Sequence, residues 1–304
     1  MTNRFRSIAP HADRGAQEAP RSFFPHTQRV IEALGFVVLG IGVGTFGTLI
    51  GAGGGFILLP ILALIYPTEA TGTLTATSLA VVAANASSGA FAYYRQRRVD
   101  LRSGLLFALA TLPGSVLGAL LSRGIPRGPF DVTFALVLLA LAAIVMRVKS
   151  DQGPPAPEGR AWGRVARVLT DADGTVHSYH VKLPLGIAIS FVVGFASSLL
   201  GIGGGFIHVP ALIAVLGFPV HVATATSHFV LAIMASVGTV THIAAGDFGD
   251  TWPRAIYLSI GAIGGAQLGA RLSRRVHGVL IVRLLAAALV LVAIRLAAQG
   301  LLGV

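Results

Sequence analysis

Apolar residues fall into ten runs along this chain, separated by short polar segments. Most runs approach the length of about 20 residues that a helix needs to cross a hydrocarbon core of roughly 30 Å. The pattern predicts an all-α polytopic membrane protein with 8 to 10 hydrophobic segments. The runs cover 30–50, 56–66, 74–94, 101–121, 130–146, 185–200, 206–216, 222–245, 255–272 and 279–298.

The first five runs and the last five repeat one another. LIGAGGGFILLP at 49–60 matches LLGIGGGFIHVP at 199–210 at eight of twelve positions, and TATS at 75–78 recurs at 224–227. Gene duplication explains this match, and internal repeats are typical of secondary transporters. We therefore divide the chain into a disordered polar tail (1–28), a first transmembrane repeat (29–147), a polar extramembrane insert (148–182) and a second transmembrane repeat (183–304).

The polar insert ends in an alternating sequence, RVARVLTDADGTVHSYHV, which predicts a β-hairpin around Asp173 and Gly174. The acidic residues from Asp171 onward resemble the start of a calcium-binding loop. However, Lys182 occupies the position at which an EF-hand loop places its last glutamate. We expect a solvated hairpin and no metal site.

Composition supports a bilayer rather than water as the solvent. Hydrophobic residues make up 54% of the chain, charged residues only 12%, and the mean hydropathy is +0.77. The net charge of +11 comes from arginines at segment ends and in loops, which the positive-inside rule explains without nucleic acid. The absence of cysteine excludes disulfides, thiolate metal sites and cysteine nucleophiles. We expect no cofactor.

Each half carries a glycine cluster between a long apolar run and a short one of eleven residues. Glycine permits the backbone angles of a helix break, and Pro60 and Pro210 add a second weak point. Unpaired backbone groups cost several kcal/mol each in hydrocarbon, so each break should line a cavity. Free N–H groups and the positive dipole end of the short helix favour an anion there.

We predict a substrate site made of the two glycine breaks and the hydroxyls of the repeated TATS motif. Asn85 and Gln267 are further polar candidates. The predicted substrate-binding residues are Gly51, Gly53, Gly54, Gly55, Phe56, Thr75, Thr77, Ser78, Gly201, Gly203, Gly204, Gly205, Phe206, Thr224, Thr226 and Ser227. Glycines at four-residue spacing elsewhere, such as Gly261, Gly265 and Gly269, favour close helix packing, and buried threonines often bond their own helix.

Ionisable groups are rare inside the apolar runs. Glu32, Glu69, Asp131, Asp247 and Asp250 fall at ends or in loops, which argues against a carboxylate proton relay. Three histidines lie inside second-half runs and align with Leu58, Leu79 and Tyr93 of the first half. Histidine titrates near neutrality, so these three residues are candidate proton or anion handles: His208, His228 and His242.

The doubled GxGGGFxxxP and the repeated ATS segment resemble the TauE/SafE family, also called the 4-toluene sulfonate uptake permease family. The resemblance covers about residues 30–299. It implies a secondary transporter that moves sulfite, sulfonates or other sulfur-containing anions across the bacterial cytoplasmic membrane, by alternating access. The partners to expect are a small anion, a coupling ion of undefined type, membrane lipid and a second copy of the chain.

The sequence leaves the topology and two other functions open. If the short runs are re-entrant, the halves run parallel; if they complete a crossing, the halves are inverted, which we favour. An intramembrane serine protease would pair Ser88 or Ser227 with His228 or His242. An anion channel is the third alternative, and saturable coupled flux would distinguish a transporter from it.

Overall fold

The computed structural model describes residues 26–121, 127–147, 164–200 and 203–302. The polar tail up to residue 25, the part of the insert at 148–163, and Gly201 lie outside this described part. The first-half helices are α1 (His26–Ile50), α2 (Gly55–Ile65), α3 (Thr71–Arg95), α4 (Leu101–Leu121) and α5 (Arg127–Arg147). Strands β1 (Arg164–Thr170) and β2 (Val176–Lys182) follow. The second-half helices are α6 (Leu183–Leu200), α7 (Gly205–Ala214), α8 (Val220–Ala244), α9 (Trp252–Arg275) and α10 (Gly278–Leu302).

The prediction of an all-α membrane protein with two broken halves is confirmed. In each half a long helix stops at the glycine cluster and a short helix starts within it, at Gly55 and at Gly205. Large apolar side chains also remain exposed on the helices, for example Leu64 and Leu291, as expected where lipid is the solvent. The segments that are long and apolar enough to cross a membrane on their own are Val30–Ile50, Gly72–Arg95, Val220–Ala244 and Gly278–Gly300.

The insert forms an antiparallel hairpin that docks on the connection between α3 and α4. Asp173 and Gly174 lie in its turn, and Gly174 has a φ of 86°. The backbone N–H of Ala172 donates to the carbonyl of Gln96 at 2.9 Å. Arg98 approaches Asp171 in the turn at 3.5 Å, and Arg167 in β1 approaches Asp100 at 3.4 Å. We call this side of the molecule the hairpin face.

The two halves have inverted orientations. At the hairpin face α4 begins, just after Asp100, while its repeat counterpart α9 ends there, where Arg274 contacts Asp173. Likewise α3 ends at the hairpin face, whereas its counterpart α8 begins there, since the hydroxyl of Thr226 accepts the N–H of Asp100 at 3.1 Å. The inverted arrangement that the sequence favours is therefore the one the structure has.

The short helices return toward the faces at which their long partners begin. Beyond α2, Glu69 binds Arg254 at the start of α9 through two hydrogen bonds of 2.8 and 2.6 Å, and Arg254 lies 4.1 Å from the ring centroid of Tyr66. These contacts put the outer end of α2 at the face opposite the hairpin. Beyond α7, the ring of Phe218 lies 4.9 Å from that of Tyr179 in β2, at the hairpin face. The two short helices thus run outward in opposite directions from the centre.

Glycines let α1 and α9 pack backbone to backbone. A Cβ at Gly261, Gly265 or Gly269 would overlap a carbonyl oxygen of α1, from Val37, Ile41 or Thr45. The constant spacing of these pairs shows that α1 and α9 run parallel. Their repeat counterparts, α6 and α4, pack in the same way, with Gly194 of α6 against the backbone of Thr111 in α4. These glycines serve packing, as their spacing indicates.

The inverted topology predicts different accessibility for the two faces. The chain has no cysteine, so a single introduced cysteine is the only thiol that a maleimide can label. Suitable exposed positions are Val168, in the hairpin, and Asp250, at the opposite face. In intact cells a membrane-impermeant maleimide should label only one of the two variants, and permeabilised cells should label both. Labelling of both variants in intact cells would contradict the assignment of these residues to opposite faces.

Ionisation of Asp171 should hold the hairpin to the membrane domain. Its Oδ1 accepts the N–H groups of Asp173 and Thr175, so Asp171→Asn keeps the turn and removes the ion pair with Arg98. We expect a loss of about 2 kcal/mol in docking free energy. Faster hydrogen exchange at the amide of Ala172 would measure it, with Asp250→Asn as the matched control. Unchanged exchange at Ala172 would contradict the role of the ion pair.

The same contact should depend on pH in a defined direction. Burial raises the pKa of the Asp171 carboxyl, but N–H donors from Thr175 and Asp173, and the charges of Arg98 and His177, outweigh it and lower the pKa below its ordinary value. A lowered pKa means that docking is fully stabilised above the ordinary carboxyl range and is lost as the pH falls through the lowered value. Protection of the Ala172 amide should therefore stay constant near neutral pH and decrease only in acid.

Candidate functional site

The two glycine breaks meet at the centre of the molecule. A Cβ on Gly205 would lie 2.9 Å from the Cα of Ala52, so the two backbones touch. The rings of Phe56 and Phe206 lie 6.0 Å apart, and both residues are buried. Because α2 and α7 begin here and diverge, their N-terminal dipole ends face the same small volume from opposite sides.

Left-handed backbone angles explain why glycine occupies the breaks. Gly51, Gly53, Gly54 and Gly203 have φ between 75° and 81°, a region that L side chains rarely adopt. In the first break the N–H groups of Gly51, Ala52 and Gly53 bond back to carbonyls of the last turn of α1. Both short helices then begin on a glycine cap, Gly54 or Gly204, without a capping side chain. The first amides of such a helix have no hydrogen-bond partner within the helix itself.

Side chains of α3 and α8 pair with the carbonyls of the first break. Asn85 donates through Nδ2 to the carbonyl of Gly53 at 3.1 Å. Ser227 and Ser78 donate through Oγ to the carbonyls of Gly51 and Gly55, at 3.4 and 3.5 Å. Side-chain donors therefore bind three carbonyls at the first break, those of Gly51, Gly53 and Gly55.

A narrow cavity adjoins the start of α7. It is lined by the glycines of the second break, by His208 of α7 and by side chains of three neighbouring helices, α4, α6 and α8. Its free space admits about one water molecule. The lining contains no carboxylate. The lining residues are Thr111, Val193, Gly204, Gly205, His208, Ser227, Val230, Leu231 and Met234.

The predicted hydroxyls separate into central and peripheral groups. Ser78 and Ser227 reach the breaks, as described above. Thr224 bonds the carbonyl of Val220 in its own helix at 2.8 Å, although its backbone touches Gly51. Thr77 pairs with Thr251 at 3.4 Å, Thr226 binds the backbone of Asp100 near the hairpin face, and Thr75 is half-buried.

The three predicted histidines occupy three different sites. The Nε2 of His228 lies 3.2 Å from Thr48 Oγ1, at the end of α1, and Thr48 donates to Asn85 Oδ1 at 3.1 Å. His208 lines the cavity and contacts Ser190 of α6. His242 pairs with Asp247 at 2.7 Å at the face opposite the hairpin, away from the breaks.

Sequence reasoning missed Thr48 and Ser190, whose hydroxyls contact the two central histidines. Thr48 stands three residues before the first glycine and aligns with Ser198, so a hydroxyl at this point of both halves was a readable signal. Ser190 gave none, because only the fold brings α6 against α7.

The described residues hold neither of the serine–histidine contacts that a protease would need. Ser88 bonds the carbonyl of Ile263 and receives a hydrogen bond from Gln267. Ser227 bonds Gly51 instead of a histidine. A nucleophile without hydrogen bonding to its base lacks the usual means of activation.

Comparison with known proteins gives the family. The family model described as "Sulfite exporter TauE/SafE" matches residues 36–296, which is most of the chain. The chain belongs to the TauE/SafE family. No solved structure matches it significantly.

Curated relatives of this TauE/SafE chain carry transporter names. The probable membrane transporter protein YunE of Bacillus subtilis is 34% identical over 276 residues, which cover 87% of this chain and 97% of the relative. A probable membrane transporter protein of Xylella fastidiosa is 27% identical, covering 79% of this chain and 85% of the relative. The relative MJ0441 of Methanocaldococcus jannaschii is 25% identical, covering 79% and 86%. This TauE/SafE protein is a multi-pass membrane transporter that sits in lipid and handles a small substrate.

Alanine substitutions at the two glycine breaks should separate the cost of the left-handed backbone from the cost of steric overlap by the new Cβ. Gly203→Ala meets only ordinary contacts, the nearest at 3.6 Å, so it should lose about 1 to 2 kcal/mol of stability from the left-handed angle alone. Gly51→Ala adds overlap with the backbone of Thr224 at 2.9 Å, and the loss should reach about 3 kcal/mol or more.

Gly42→Ala is the matched control, because it lies in α1 with nothing within 4 Å of the new Cβ. It should leave the stability unchanged or slightly raised. Thermal unfolding of the purified variants measures all three. Equal melting temperatures for Gly51→Ala and Gly42→Ala would contradict the conformation of the first break.

Proposed function

We propose that this chain carries a small sulfur-containing anion, sulfite or a sulfonate, across the bacterial cytoplasmic membrane by alternating access. The substrate site is the meeting point of the two breaks, with the first amides of α2 and α7 as anion donors. The observation that carries the proposal is the convergence of these two helix starts, buried and without capping side chains, at the centre of two inverted halves.

The local chemistry favours an anion over a cation. Carbonyls of the first break, which a cation would need, already accept hydrogen bonds from Asn85, Ser78 and Ser227. The cavity lining has no carboxylate, and its polar groups are hydroxyls, amides and one histidine. The family description names sulfite export, which agrees with a small oxyanion as cargo.

Alternating access is supported by the closed state of the site. Free space at the second break admits about one water, so an oxyanion enters only when the two halves move apart. Different contacts close the two faces: the hairpin with Arg98 and Asp171 on one side, and Glu69 with Arg254 on the other. Rocking of inverted halves about a central site would open these faces in turn.

The positive-inside rule orients the hairpin face toward the cytoplasm. The connection from α3 to α4, the hairpin and the end of α9 are basic, whereas the opposite face carries Glu69, Asp247 and Asp250 with Arg254. The basic residues at the hairpin face are Arg95, Arg97, Arg98, Arg102, Arg164, Arg167, Lys182, Arg271, Arg274 and Arg275. A homodimer stays a prediction from the sequence.

Proteoliposomes containing the purified chain test the proposal. Uptake of radiolabelled sulfite should saturate and should be accelerated by unlabelled sulfite inside, which is the signature of a carrier. Gly204→Leu should reduce the flux at least tenfold, because its Cβ would lie 2.8 Å from Val193 and fill the second break. Gly35→Leu, on an exposed part of α1 with no neighbour within 4 Å, is the control and should transport normally.

Two results would contradict the proposal. Linear, unsaturated flux without acceleration by internal substrate indicates a channel. Normal transport by folded Gly204→Leu places the site elsewhere.

A further inference from the structure

His208 is the one cavity-lining residue with a titratable side chain. It lies one turn inside α7, is 2% exposed, and its Nδ1 is buried without a hydrogen-bond partner. Its other nitrogen, Nε2, lies 3.1 Å from Ser190 Oγ on α6. Because Ser190 is not part of the cavity lining, the ring has one nitrogen committed to protein and one free beside the second break.

The hydrogen bonds around Ser190 fix which nitrogen carries hydrogen. Ser190 Oγ lies 2.7 Å from the carbonyl oxygen of Gly186, and a carbonyl only accepts, so the single hydroxyl hydrogen of Ser190 points there. Ser190 must therefore accept from His208, and Nε2 is the N–H donor. In the neutral ring, Nδ1 then presents a bare lone pair.

A bare lone pair repels the anion that the start of α7 attracts. A favourable contact between Nδ1 and the anion needs a hydrogen atom between them. That hydrogen comes either from protonation of the His208 ring or from a substrate that binds in its protonated form. We propose that the central site binds the anion together with one proton, held between His208 Nδ1 and the anion. This inference rests on the proposed function and adds the coupling ion to it.

The two halves supply this group only once. The residue of the first half that aligns with His208 is Leu58, which is buried and apolar. One proton per anion at this cavity follows, because His208 is its one titratable lining residue. A sulfonate and a proton together carry no net charge, which removes most of the cost of moving a bare anion through a low-dielectric barrier.

No other charge substitutes for the proton among the side chains that the structure describes around α7. The helices packed on it are α4, α5, α6, α8 and α10. No charged side chain on these helices has a described contact with His208. The described titratable and charged side chains on these five helices are Arg102, Arg147, His221, His228, His242, Arg283 and Arg295.

Methanesulfonate is the probe that isolates the proton on His208, because it stays anionic across the accessible pH range and brings no proton of its own. Binding to the purified full chain in weakly buffered solution should take up about one proton per anion. In proteoliposomes, an inward proton gradient should drive methanesulfonate accumulation at least tenfold, and a membrane potential set with potassium and valinomycin should change the rate by less than twofold.

Variants connect the proton to His208. His208→Gln and His208→Leu, the second of which copies the first half, should take up no proton on binding and should lose the response to the proton gradient. His242→Gln is the matched control and should behave as wild type, since His242 lies at the opposite face in a hydrogen bond with Asp247.

Ser190→Ala tests the same idea with the histidine retained. The hydrogen bond from Nε2 to Ser190 stabilises the protonated ring more than the neutral ring, so its removal makes protonation of His208 less favourable. The pH at which methanesulfonate binding is half lost should therefore fall by roughly one unit. This variant also decides the matter if the His208 variants fail to fold, because an unchanged midpoint would overturn the proposal.

The outcomes separate this inference from the proposed function. Saturable sulfite and methanesulfonate transport without proton uptake, or with gradient coupling intact in folded His208→Gln, overturns the role of His208 and leaves the transporter assignment in place. Absence of both binding and transport of either anion by wild type overturns the proposed function and this inference together.

Discussion

A helix that stops inside a bilayer leaves backbone groups without partners, and hydrocarbon offers none, so this constraint governs the rest of the molecule. The protein meets it by burying both breaks against each other, Ala52 on Gly205. Left-handed glycines turn the chain, and Asn85, Ser78 and Ser227 bind carbonyls of the first break. Both α2 and α7 begin on a glycine cap without a capping side chain. The residues that satisfy the backbone at the breaks are thus the same ones that form the anion site we propose.

Duplication followed by divergence explains why the two halves share architecture but differ in chemistry. Inversion brings the same break to the centre from both sides, which gives a symmetric scaffold. The differences lie where each half has its own side chains: His208 stands opposite Leu58, and His228 opposite Leu79. At the surfaces, Arg98 pairs with Asp171 at the hairpin face, whereas Arg254 pairs with Glu69 at the opposite face. In the transport cycle that we propose, titratable groups from one half only would make the two directions of the cycle distinguishable.

The sequence predicted the helices, the repeat and the two breaks, because glycine clusters inside apolar runs have few other uses in lipid. It could not assign each hydroxyl, since that depends on which side of a helix faces which neighbour. Thr226 reaches Asp100 near the hairpin face, and Thr224 bonds its own helix, although both belong to the same motif as the central Ser227. The contact between Ser190 and His208 needs the packing of α6 on α7, which no local pattern encodes.

Cryo-electron microscopy of the purified protein in nanodiscs, with and without selenate as a dense oxyanion, tests the central claim most directly. The account predicts added density between the first turns of α2 and α7, near Gly55 and Gly205, in contact with backbone N–H groups. Uninterrupted helices through 51–56, or an anion bound only by arginines at the hairpin face while the centre stays closed, would contradict it.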